Sequence, residues 1–99
     1  MSVTVEVLNN PIQTETLVNN FIKDNDLKSA IDLYVKAYEF SKEKNGILHP
    51  ITTAYVNKYS RLLGTFKIET IELKNMYEDI NNSIINFKGE ENINTSKEV

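Results

Sequence analysis

No cysteine occurs anywhere in the chain, so no disulfide braces the fold and no thiolate chemistry is open to it. A secreted domain this small normally relies on such staples, so a reducing compartment or a virion is expected instead. There is one histidine, His49, which falls short of the His/Cys sets that hold structural zinc. The three glycines stand isolated at 46, 64 and 89, so no glycine-rich phosphate loop is present. No apolar run approaches the roughly 20 residues of a membrane span. Met1 to Asn10 carries no basic side chain and no long apolar stretch, a poor match to a signal peptide. The location expected is therefore cytoplasmic: the host cell cytoplasm, or the virion if the protein is phage-encoded. No membrane partner is expected.

What is present fits one small domain of 99 residues. A chain of this size buries roughly 60–65% of the surface exposed when unfolded, so its core is adequate without being generous. The net charge of −3 is too mild for a polyanion binder. Its distribution is uneven. Residues 1–41 hold three basic and six acidic side chains, residues 42–67 five and one, and residues 68–99 three and seven. A basic middle thus separates two acidic ends. Asparagine, isoleucine and lysine are abundant, a composition common in phage and mobile-element reading frames.

The hydrophobic pattern predicts a mainly α protein: an up-and-down helical bundle of about four helices, with an extended N-terminal arm and a polar C-terminal tail. The domain boundaries expected are 1–10 for the arm, 11–87 for the bundle and 88–99 for a flexible tail. In the arm, Val3, Val5 and Val7 alternate with Ser2, Thr4 and Glu6 as in a strand, and Asn9-Asn10-Pro11 stops it. Asn10 as cap and Pro11 at the first helical position open a helix to about Lys23, which would bury Ile12, Leu17, Val18, Phe21 and Ile22. Asp24-Asn25-Asp26 breaks it and supplies the next cap. Leu27, Ala30, Ile31, Tyr34, Ala37, Tyr38 and Ser41 then form a broad helical stripe that ends at Asn45-Gly46. Pro50 and Gly64 bracket a third helix, with Ile51, Ala54, Tyr55, Tyr59, Leu62 and Leu63 inward. Ile68, Ile71, Met76, Ile80, Ile84 and Phe87 suit a fourth, stopped by Gly89. A break near Thr70 and a strand over 66–73 are alternatives there.

Chemistry is sparse. His49, just before Pro50, is expected at the start of a helix on the surface. The neighbouring carboxylates Asp24 and Asp26, Glu78 and Asp79, and Glu90 and Glu91 read as caps or solvated charges. No catalytic residue, metal ligand, cofactor or small-molecule substrate is nominated, and no enzyme is expected. Lys44, Lys58, Arg61 and Lys67 are the candidate anion-binding residues. With Tyr55, Tyr59 and Phe66 among them, they could form a nucleic-acid surface of basic and stacking groups.

Ala30, Tyr34 and Ala37, followed by His49-Pro50 and another amphipathic helix, resemble a single tetratricopeptide unit covering about a third of the chain, although that architecture needs about three repeats. No period recurs here, and the family's tryptophan, glycine and tyrosine positions are missing.

The function expected is non-enzymatic protein–protein interaction, as an accessory or structural component of a phage-like or mobile-element assembly. A protein partner or self-association is expected, with Val3, Val5 and Val7 adding a strand to the partner. The alternatives are a regulatory inhibitor that binds a host or defence protein through a helical face, and a nucleic-acid-binding module using segment 42–67.

Overall fold

A computed structural model describes the backbone of residues 4–98 and the side chains of residues 4–86. The described residues are mostly helical and contain no strand. They form five helices: α1 (Val5–Leu8), α2 (Pro11–Lys23), α3 (Leu27–Asn45), α4 (Pro50–Phe66) and α5 (Ile71–Glu98).

Local chemistry starts and stops most of them. The Asn10 side chain accepts from the amides of Ile12 and Gln13, and Pro11 follows it, so α2 begins at a capped proline. The α2 helix ends on Asn25, whose left-handed φ of 60° lets the Asp26 amide reach back to Phe21. Asp26 then caps α3 through the Ser29 amide. Hydrogen bonding from the Ser29 side chain, and then from its amide, holds the Asp26 carboxyl below the usual carboxylate range. Gly46, at φ 100°, closes α3. His49 caps α4, its Nδ1 accepting from the Ile51 amide at 3.1 Å.

The helices α2, α3 and α4 pack mutually, and α5 packs on α4. Asp79 of α5 also reaches Lys42 of α3 at 3.7 Å, so α5 lies over the line where α3 and α4 meet. The core is rich in aromatics: Tyr34, Tyr38, Tyr55 and Tyr59 join Leu8, Val18, Leu33, Val56, Leu62, Leu63 and Met76, with Ala30 and Ala37 letting the helices approach.

Three expectations need correction. Residues 5–8, read as part of an extended arm, form one helical turn, with Thr4 Oγ1 accepting from the Val7 amide. The carbonyl of its last residue, Leu8, accepts from Tyr55, 47 positions away in sequence, a partnership that valine alternation does not reveal. Gly64 does not end α4, which runs on to Phe66 and closes at left-handed Lys67, where the Ile68 amide bonds to the Leu63 carbonyl. Gly89, read as a stop, lies within α5, whose helical backbone includes residues 88–98 of the expected tail. Thr70 does mark a break: its hydroxyl oxygen accepts from the Leu73 amide as α5 begins.

Three individual burial expectations also fail, one of them at Ile84, which is 37% exposed. Ile12 is 76% exposed and Ile71 61% exposed, each two residues from an inward position, Thr14 and Leu73, and so on the opposite side of its helix. Phe87 lies outside the described side chains.

Candidate interaction cleft

Because α2, α3 and α4 pack mutually, each pair leaves a groove. The α3/α4 groove takes α5, with Leu73, Met76 and Ile80 turned toward the core. The α2/α4 groove holds an open cleft of about 270 Å³. Its apolar lining comes from Val18 and Ile22 of α2, Tyr34 of α3, and Leu62 and Phe66 of α4. Around this run Glu15 and Asn19 on one side and Lys58, Arg61 and Thr65 on the other. The α4 members recur at positions 58, 61, 62, 65 and 66, a single helical face.

The charges on the rim are not equivalent. The Lys58 Nζ contacts Glu15 Oε2 at 2.8 Å, so that pair is largely self-compensating. Arg61 is exposed and makes no ion pair among the described residues. The rim therefore carries one uncompensated positive charge on a guanidinium able to bind a carboxylate bidentately. Burial, and secondarily the Glu15 carboxylate, push the Tyr34 phenol pKa upward, so it stays a neutral donor at the floor.

The four candidate basic residues do not form one site. Lys58 and Arg61 share this cleft. Lys44 lies on a separate depression with Val5, Phe40 and Glu43, its Nζ 5.6 Å from the Phe40 ring. Lys67 is exposed at the end of α4. Tyr55 and Tyr59 are fully buried, which leaves only Phe66 of the three proposed stacking rings exposed. Sequence reading missed Glu15, Asn19 and Tyr34 as cleft residues. The Glu15–Lys58 pair spans 43 positions, and no local spacing signals it.

Of the arm valines, Val5 is 57% exposed and Val7 half-buried, on a helical turn instead of a strand; Val3 lies outside the described residues. Among the described residues, no three His, Cys, Asp or Glu side chains gather as metal ligands. No described helix is long and apolar enough to cross a membrane.

Comparisons with protein-family models, curated proteins and solved structures returned no match for this chain.

Proposed function

We propose that this protein is a non-enzymatic interaction module, an up-and-down helical bundle that receives an acidic amphipathic helix of a protein partner in the α2/α4 cleft. The observation that carries this reading is the α2/α4 cleft, where half-buried Ile22 and exposed Phe66 border Arg61, which makes no ion pair among the described residues. Helix-in-groove recognition needs both parts: apolar anchors three or four residues apart, and a charge to set register. The accompanying proposal for its setting is an accessory role in a larger assembly, of the phage-like kind suggested by the asparagine-, isoleucine- and lysine-rich composition.

The absence of cysteine makes a clean test possible, because a Thr65→Cys variant carries one labelling site. A fluorophore there is titrated with a synthetic leucine/glutamate helix and with its leucine/lysine counterpart. Saturable binding of the acidic peptide is expected, weakened about tenfold, or 1.4 kcal/mol, by Arg61→Glu. Equal binding of the basic peptide, or indifference to Arg61→Glu, removes the reading. Salt-dependent binding of a single-stranded oligonucleotide instead, lost in the same variant, transfers the cleft to the nucleic-acid alternative.

A further inference from the structure

We infer that the cleft holds a carboxylate pocket, in which the Tyr34 hydroxyl and Arg61 together take one glutamate side chain of the partner helix. The inference rests on the reading of the cleft given above. What points to it is a hydroxyl with nothing to bond. Every tyrosine hydrogen bond among the described residues belongs to Tyr55 or Tyr59. Tyr38 and Tyr34 are left over. The Tyr38 oxygen is sealed inside the core. Tyr34 is instead part of the cleft wall, although only 3% of the residue is exposed. A donor set so deeply without an acceptor is costly unless a ligand supplies one. Glu15 lies on the same wall, and after burial its charge is the next cause raising the Tyr34 pKa. Its carboxylate is committed elsewhere, to the Lys58 Nζ at 2.8 Å, and makes no hydrogen bond to the phenol.

Size, charge and wall select the ligand. At about 270 Å³ the cleft falls just below the roughly 300–1,000 Å³ of ordinary small-ligand sites, which leaves room for one side chain or a short acid. Lys58 and Glu15 compensate each other, so the single positive charge of Arg61 matches a monoanion better than a phosphate dianion. The phenol and the guanidinium both donate, so the ligand must accept at two places, as the two carboxylate oxygens do. Val18, Ile22, Leu62 and Phe66 line the approach and call for methylene groups next to the acid. A glutamate side chain combines these features. Because Val18, Tyr34 and Leu62 are buried, the partner helix itself rests on half-buried Ile22 and exposed Phe66, and only this side chain enters.

The labelled Thr65→Cys chain tests this with three probes: the leucine/glutamate helix, a leucine/glutamine counterpart, and hexanoate. Tyr34→Phe should keep the urea midpoint, because its hydroxyl has no internal bond to lose, while weakening the leucine/glutamate helix about tenfold. The glutamine peptide should lose only about threefold, since a hydrogen bond to a neutral acceptor is about half as strong. Hexanoate should compete with the leucine/glutamate helix, and Tyr34→Phe should weaken it as well. Equal losses for the two peptides overturn the inference, and so does a lowered urea midpoint, which would mean that the hydroxyl is already bonded within the chain. If the leucine/glutamate helix binds through Arg61 but is indifferent to Tyr34→Phe, the inference falls and the reading of the cleft stands. If hexanoate binds through Tyr34 and Arg61 while the helix does not, the helix reading falls and the pocket stands with a free short acid as its ligand. Binding of neither at millimolar concentration removes both.

Discussion

The Tyr55 hydroxyl of α4 donates to the carbonyl of Leu8, the last residue of α1, at 2.6 Å. The Thr14 hydroxyl of α2 donates to the adjacent Val7 carbonyl, also at 2.6 Å. Each hydroxyl has one proton, so these two bonds take both, and the 3.1 Å approach of Tyr55 to Thr14 follows from their adjacent targets. Tyr55 thereby satisfies a carbonyl that the end of a helix leaves without a partner, while the Val7 carbonyl also accepts from the Asn10 amide at 3.0 Å. The N-terminal turn is part of the core, with Leu8 only 5% exposed.

Tyr55→Phe should therefore cost about 1–3 kcal/mol, since it leaves the buried Leu8 carbonyl without a donor. Thr14→Val should cost less, because the Val7 carbonyl keeps the Asn10 amide, and the double variant should depart from additivity because the two hydroxyls are in contact. Urea denaturation of the three variants measures this. Deletion of residues 2–8 should destabilise too, as Leu8 burial alone is worth about 1.5–3 kcal/mol. An unchanged transition after that deletion shows that the turn is undocked in solution.

Tyr38 gives the opposite expectation. Its hydroxyl is buried with no hydrogen-bond partner among the described residues, so its oxygen contributes desolvation cost and no bond. Lys42 lies over the ring, 5.4 Å from its centre, and that contact does not require the hydroxyl. Tyr38→Phe should be neutral or stabilising by up to about 1 kcal/mol. A loss of more than about 1 kcal/mol would reveal a hydrogen bond to this oxygen.

Helices with strong local signals were legible before the structure. Asn10-Pro11, Asp26 and Pro50 mark starts by side-chain chemistry that acts within three residues, and those starts are where expected. The buried stripe of α3 was legible for the same reason, because Ala30, Tyr34, Ala37, Tyr38 and Ser41 repeat at helical spacing. The N-terminal turn was misread because the Leu8 carbonyl at its end is satisfied by Tyr55, 47 positions away in sequence. The end of α4 was misread because Lys67, a residue with no special preference for left-handed backbone, takes the role that Gly64 suggested. Of the cleft, Lys58 and Arg61 were legible as cations. Their neighbours across the groove were not, since helix pairing decides which faces meet.

Alkaline pH should unfold the protein through its tyrosines. Burial, the first cause in each case, raises the pKa of Tyr34, Tyr38, Tyr55 and Tyr59, with Tyr38 pushed up to about 12. The folded state therefore holds these phenolic protons more tightly than the unfolded chain, where tyrosine titrates near 10. Where the unfolded state binds fewer protons, stability falls as pH rises. This contribution is fully present below about pH 10 and is lost progressively between there and the folded-state values. Tyrosinate absorbance and far-ultraviolet circular dichroism, followed together, should change in one transition above about pH 10. Full ionisation of these tyrosines with helicity intact would show that they are reachable by solvent in the folded state.

Gly46 and Gly64 should respond to alanine with opposite signs. Neither would bring a new Cβ within 4 Å of another heavy atom, so packing does not separate them and backbone conformation does. Gly46 holds φ 100° and ψ 155°, a region essentially reserved for glycine, and Gly46→Ala should cost about 1–3 kcal/mol. Its carbonyl also accepts from the Thr52 hydroxyl at 2.8 Å, in a buried pair with Ser41, so a backbone shift there disturbs two further hydrogen bonds. Gly64 lies inside α4 on an exposed face, and Gly64→Ala should stabilise by about 0.5–1 kcal/mol by removing glycine's entropic penalty in a helix. Thermal and urea denaturation of the two variants measures both effects. A loss at Gly64 would place the end of α4 at the glycine, as the sequence suggested, and would remove the left-handed role assigned to Lys67.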